Sequence, residues 1–246
     1  VTDSPRREDP ARREDPARRE ELAARLAEVR CRIAQACQAA GRDTGDITLI
    51  AVTKTRPASD VRLLSELGLR EVGENRDAEA GPKAAQCADL DLRWHFIGQL
   101  QTNKCASVVR YASVVHSVDR PRLIRALGQA ARRAERVIDS LIEVSLDGDP
   151  ARGGAPAEQV PALAEAIEAE PGLVLGGVMA IAPLGLAAVE AFARLLGSAA
   201  VVQAVRPAAT VISAGMSGDL EAAIEAGATH LRIGTALLGD RGPRVR

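Results

Sequence analysis

Aromatic side chains are nearly absent: Trp94, Phe96, Tyr111 and Phe192 account for all of them, 2% of 246 residues. A chain so poor in rings has no row of platforms on which single-stranded bases could stack, and its formal charge of −1 supplies no basic field for a nucleic-acid backbone. No nucleic-acid partner is expected. Cysteine and histidine are equally sparse. The four cysteines, Cys31, Cys37, Cys87 and Cys105, show no Cys-x-x-Cys spacing, and the three histidines do not cluster with them, so no metal site is expected. Reduced thiols fit a cytoplasmic protein. No apolar stretch reads as a membrane span and the N-terminus lacks the apolar core of a signal peptide, so no membrane partner is expected either.

What the chain has in abundance is alanine, valine and leucine, ordered in two periodicities. Residues 6–17 are two copies of RREDPA, followed by RREELA. Such a stretch buries too little apolar surface to offset the entropy of ordering, and about the first 18 residues are expected to form a disordered charged tail before a single domain over residues 19–246. From Glu20 to Ala40, Leu22, Leu26, Val29, Ile33 and Ala36 recur at helical spacing, with Gly41 as the stop. Beyond it, eight β-branched runs are expected as strands: Thr48 to Thr53, Glu71 to Gly73, Trp94 to Gly98, Val114 to Val118, Ile138 to Leu146, Leu173 to Ala180, Thr210 to Ala214 and Leu231 to Gly234. Helical patterns over Ala58 to Leu67, Arg120 to Ala134, Ala157 to Ala169, Leu186 to Leu196 and Leu220 to Ala226 separate them. The count and size are those of an α/β fold of the (β/α)8 TIM-barrel type. A doubly wound open sheet is the rival, without either of its common glycine-rich nucleotide-binding signatures.

In such a barrel, chemistry gathers at the C-terminal ends of the strands. The first strand, ITLIAV, ends on Lys54, an amine at the end of an apolar run. The second runs into Glu74 and Asn75, the third carries His95, and the sixth carries Met179. After the seventh strand Ser213, Gly215 and Ser217 lead into a helix, and the eighth offers Arg232, Gly234 and Thr235. Hydroxyls, glycines and a helix start at the corner after strands seven and eight form a ready anion site, although an ordinary serine cap accounts for the serines equally well. Strands one and eight meet at the seam of a closed barrel. A phosphorylated aldehyde held at that corner therefore reaches the Lys54 amine, which burial would help deprotonate. Pyridoxal phosphate supplies both groups; a sugar phosphate bound as an imine, as in a class I aldolase, uses the same chemistry. His95, between Trp94 and Phe96, reads first as a hydrogen-bonded core residue, and His116 and His230 have no metal-like partners in sequence.

Taken together and in order, AVTKT, GEN, WHFIGQLQTNK, HSVD, GVMAI and GMSGDLEAAIEAGATHLRIGTALLG resemble the pyridoxal phosphate homeostasis protein family, the YggS/PROSC-like proteins, whose barrel is that of the alanine racemase N-terminal domain. The resemblance spans about Ile47 to Gly239. It implies that Lys54 holds pyridoxal 5'-phosphate as a Schiff base, that Ser213, Ser217, Gly234 and Thr235 surround its phosphate, and that Arg232 lies near the pyridine nitrogen. Asn75, His95 and Met179 match pocket-lining positions. The family role implied is vitamin B6 homeostasis, as a carrier or regulator serving apo pyridoxal-phosphate enzymes and without strong catalysis. Little sequence follows Gly239, so no second β-domain of the racemase kind is expected, and a monomer is expected with it. The alternative is a weak racemase-like enzyme.

Overall fold

Eight parallel strands close into a barrel in the computed structural model, which describes residues 15–149, 152–183 and 185–240. The strands are β1 (Thr48–Val52), β2 (Glu71–Glu74), β3 (Arg93–Phe96), β4 (Ala112–Val118), β5 (Ile138–Glu143), β6 (Leu173–Met179), β7 (Val211–Ser213) and β8 (His230–Ile233), each beside its sequence neighbour. The seam is a parallel pairing of β1 with β8, with Thr48 opposite His230 and Ala51 opposite Ile233. Each expected strand is present, with ends that move by at most three residues. The open-sheet alternative is excluded by closure.

The outer layer comprises α1 (Pro16–Ala40), α2 (Ala58–Glu66), α3 (Asp77–Gln86), α4 (Cys105–Val108), α5 (Pro121–Arg133), α6 (Val160–Glu168), α7 (Ala188–Val205), α8 (Leu220–Glu225) and α9 (Thr235–Leu238). In α1 the apolar stripe Leu22, Leu26, Val29, Ile33 and Cys37 is buried, and Gly41 ends the helix at φ 65° in the left-handed region that glycine adopts freely. The helix begins earlier than its periodicity announces. Asp15 accepts a hydrogen bond from the Arg18 N–H, Pro16 occupies the first turn, and the Arg18 guanidinium donates to both oxygens of the buried Asp60 at 3.1 and 2.7 Å. The expected tail is therefore too long at its C-terminal end: Arg18 is tied down by a bidentate pair, which a low-complexity pattern does not reveal. Residues 1–14 of that tail lie outside the described residues.

Helix α7 runs on to Val205, well past the expected Leu196, because Gly197 faces open space and interrupts nothing. At 18 residues and a mean hydropathy of 1.4 it is long and apolar enough to cross a membrane, which corrects the expectation of no such stretch. Its face of Ala191, Phe192, Leu195, Ala199 and Val202 is instead buried, in a helix packed against α6, α8 and β6.

Two glycines are set by backbone approach. A Cβ on Gly98 would lie 2.2 Å from the Asn75 carbonyl oxygen, so the loops after β2 and β3 touch at the barrel mouth. A Cβ on Gly177, whose φ is +148°, would lie 1.9 Å from the Val211 carbonyl oxygen. Just before it the register of β6 against β5 shifts, Leu175 pairing Ser140 and Gly177 pairing Leu141. Gly177→Ala is expected to destabilise the protein by about 3 kcal/mol or to prevent folding, since the clash is with main chain on a neighbouring strand. Urea unfolding checks it, and an unchanged midpoint would contradict the assigned contact.

Candidate functional site

The expected site residues divide into two sets at the C-terminal end of the barrel. Lys54, Asn75, Ser217, Gly234 and Thr235 reach the surface around one mouth, whereas His95, Met179, Ser213, Gly215 and Arg232 are buried beneath it. Lys54 follows β1 by two residues, and Gly234 follows β8 by one, so the seam brings the lysine loop beside the β8 turn. A Cβ on Gly234 would lie 3.6 Å from Val52, ordinary contact that fits the same neighbourhood. The residue after the lysine, Thr55, has φ 63°, an uncommon state for a β-branched side chain. Its N–H donates to Glu79 Oε2 at 3.1 Å, which helps hold a turn that is strained by about 1–3 kcal/mol next to the amine.

A second lysine stands close by and has a different fate. Lys83, on α3, is buried and donates to the Thr53 carbonyl at 2.8 Å and to Glu74 Oε1, which also accepts from the Thr53 hydroxyl at 2.6 Å. Glu74 Oε2 is buried without a hydrogen-bond partner. This ion pair ties α3 to the ends of β1 and β2 and leaves Lys54 as the lysine of the mouth on that side. Sequence reading missed both the pair and α3, because Gly81 and Pro82 interrupt the helix pattern and the partners sit on separate elements.

The corner after β7 and β8 is built differently from the expectation. Asp219 Oδ1 accepts from the Met216 N–H at 2.6 Å, so a carboxylate already occupies an amide that the loop offered to an anion. The Ser217 hydroxyl accepts from the Ala236 N–H at 3.2 Å, stapling the two loops together and keeping its own proton to donate. Gly215 is required by packing: at φ +91°, a Cβ there would meet Ala223 at 2.6 Å and Leu231 at 2.9 Å. The Ser213 side chain is fully buried and points inward, away from the corner expected of it, since its oxygen accepts from Arg232 at 2.7 Å and lies 3.0 Å from His116 Nδ1. Met179 fills the barrel interior with Val114 and Leu141. His95 is likewise interior, with one ring nitrogen on Glu71 and the other 2.8 Å from His116 Nε2.

Arg232 is 4% exposed, yet three of its donors are satisfied, by the Ser213 carbonyl at 2.8 Å, the Ser213 hydroxyl and the Ala180 carbonyl at 2.8 Å. Of the five N–H groups of a guanidinium, these leave the Nε–H and one N–H of the second nitrogen. Burial pulls its pKa down to about 10, against the opposing pull of Glu143 and Asp219. Glu143 ends β5 beside Met179 and faces Asp119, Arg120 and Arg232. Burial pushes its pKa up to about 7, and the Asp119 carboxylate adds to the shift. The folded state therefore binds this proton more tightly than the unfolded one, and stability is expected to fall as pH rises from about 4.5 to about 7, by a few kcal/mol in all. Glu143→Gln should flatten that window; urea midpoints across it give the comparison, and an unchanged slope would refute the assignment.

Residues 25–242 match the model of the alanine racemase N-terminal domain. A pyridoxal phosphate homeostasis protein of Mycobacterium bovis is 43% identical over 236 residues, covering 88% of this chain and 91% of its own, and one of Pseudomonas aeruginosa is 43% identical over 223 residues, covering 89% and 96%. The chain belongs to the pyridoxal phosphate homeostasis family, within the class of alanine racemase N-terminal-domain barrels. Among solved structures it is similar to PipY of Synechococcus elongatus with PLP bound, at TM-score 0.78 and 35% identity over 89% of this chain and all of that one. Alanine racemase from Corynebacterium glutamicum, at TM-score 0.64 and 15% identity, shares the fold; the match covers 89% of this chain and 60% of the racemase.

Proposed function

We propose that the protein binds pyridoxal 5'-phosphate as a Schiff base on Lys54 and serves vitamin B6 homeostasis as a carrier or regulator. The observation that carries this reading is the seam: it sets the half-buried lysine loop of β1 beside the β8 turn, above a buried arginine. The donor set fits the group. Ser217 keeps a proton for a phosphate oxygen, Gly234 and Thr235 leave the turn open to it, and Arg232 retains two donors for the ring. Asn75 lines the accessible rim, whereas Ser213, His95, Met179 and Gly215 support the floor from below. PipY, with PLP bound, and the curated relatives named for pyridoxal phosphate homeostasis support the same ligand.

Pyridoxal phosphate supplies an electron-withdrawing ring, and the protein decides how strongly that ring acts. A guanidinium aimed at the ring nitrogen disfavours its protonation and weakens the electron sink, which suits holding and delivering the cofactor better than transamination. Apo pyridoxal-phosphate enzymes are the recipients this reading calls for, and four free thiols, three of them buried, fit a reducing cytoplasm. The chain is taken to act as a monomer. Borohydride reduction of the loaded protein followed by peptide mapping tests the anchor. Modification of the peptide holding Lys54 is expected; modification at Lys83 or Lys104 would overturn it. Incubation of the loaded protein with L-alanine should give no racemisation, and steady turnover would favour the enzyme instead.

A further inference from the structure

A row of polar side chains runs through the inside of the barrel from the N-terminal mouth up to Arg232, beneath the residues that reach the opposite mouth. It starts at Glu71, the first residue of β2, whose side chain is 24% exposed at the N-terminal mouth. Glu71 Oε2 meets His95 Nε2; His95 Nδ1 is 2.8 Å from His116 Nε2; His116 Nδ1 is 3.0 Å from Ser213 Oγ; and Ser213 Oγ takes a hydrogen bond from Arg232 at 2.7 Å. All but Glu71 are buried. Beside Glu71 lies a cleft of about 320 Å³ whose lining includes Thr48, Arg93, Asp139, Arg206 and His230, so this mouth is open to solvent and charged.

The direction of each hydrogen bond follows from the ends. Arg93, His95 and His230 face the Glu71 carboxyl, and its contact with His95 favours the ionised form, which can only accept. Burial keeps both His95 and His116 neutral, so each ring has one N–H and one bare nitrogen. His95 gives its Nε2–H to Glu71, which leaves Nδ1 bare to accept from His116 Nε2–H. His116 then has Nδ1 bare and accepts the Ser213 hydroxyl proton. Ser213 in turn offers Arg232 a lone pair and no competing proton. Every donor points the same way, from Arg232 to Glu71.

We infer that Glu71, at the mouth opposite the ligand, is a positioning residue for Arg232, acting through His95, His116 and Ser213 as a one-way hydrogen-bond chain. The inference rests on the reading of Arg232 as the residue facing the cofactor ring. Neutralising Glu71 lets the chain run the other way: His95 and His116 carry their protons on Nδ1, His116 donates to Ser213, and the freed hydroxyl proton no longer has a fixed place beside Arg232. Protons are conserved in this reversal, for each ring exchanges one N–H position for the other. The state of a surface carboxylate at one end of the barrel thus fixes the geometry of a buried cation near the other.

Nitrogen NMR of histidine-labelled protein without ligand reads the chain directly. Both His95 and His116 are expected as neutral Nε2–H tautomers at neutral pH, with Nδ1–H forms rising in Glu71→Gln. A proton on Nδ1 of either ring in the unaltered protein, or no change in the variant, would overturn the chain. Titration with pyridoxal phosphate should show weakening of about fivefold or more in Glu71→Gln, in the range of coupling between separate sites. The loss should vanish with the deaza analogue, in which carbon replaces the ring nitrogen; an equal loss for both ligands would mean a merely structural role. Ser213→Ala breaks the chain midway, so adding Glu71→Gln to it should cost nothing more, and additive losses would refute coupling. If Lys54→Ala retains reducible cofactor, the anchor assignment fails while the tautomer result still stands or falls separately.

Discussion

Lys83→Met should lower the stability of the protein by about 3–5 kcal/mol, the cost of leaving a buried carboxylate without its cation. Glu74 is fully buried, one of its oxygens already lacks a partner, and the other is held by Lys83 and the Thr53 hydroxyl. Both partners are buried, and removing the amine deprives the Thr53 carbonyl of a donor as well. Methionine keeps the length of the chain, so the loss reports charge and hydrogen bonding rather than a cavity. Adding Glu74→Gln should recover part of it, because the uncompensated charge disappears while the amide can still accept from Thr53. Urea denaturation of the single and double variants makes the test; a Lys83→Met midpoint near that of the unaltered protein would show that the pair contributes little.

Lys54→Ala is expected to do the opposite: to abolish covalently retained pyridoxal phosphate and leave stability within about 1 kcal/mol. The lysine is half-buried in a turn rather than packed in the core, so its removal opens no interior cavity. The measurement is the visible absorbance of the loaded protein before and after dialysis, alongside a thermal melt. Persistence of the band would remove Lys54 as the anchor. The two lysines stand near one mouth and have the same chemistry in isolation, and their different surroundings give Lys83 a structural role and leave Lys54 as the proposed anchor.

Much of the architecture was legible because its signals are local. β-branched runs separated by helical patterns located all eight strands, and barrel topology then put Lys54, Asn75 and the β7 and β8 turns at one end. Elements whose local signals conflict were lost. The α3 helix carries Gly81 and Pro82, and α4 and α9 have four residues each. Ser213 illustrates a finer limit. Its place after a strand and before a glycine turn suited the anion corner, but the alternation of β7 turns its side chain inward, where His116 lies 97 residues away in sequence. The histidine chain has no sequence signature at all, since its members come from five strands and only closure brings them together. Gly215 was expected to open the anion corner to backbone approach, whereas the structure shows it packed closely against Ala223 and Leu231.

Closure of the barrel through β1 and β8 also orders events in time. Lys54 follows the first strand made and Arg232 lies on the last, so nearly the whole domain must be synthesised before both can stand at one end of a closed barrel. Helix α1, from the start of the described chain, packs on α8 and α9 from its end, which makes the final docking step depend on the most sequence-distant contacts in the molecule. A nascent or partly folded chain would carry the lysine without the arginine. Cofactor retention would then report that the ring has shut, and the ligand, by binding only the shut form, would hold it shut by mass action.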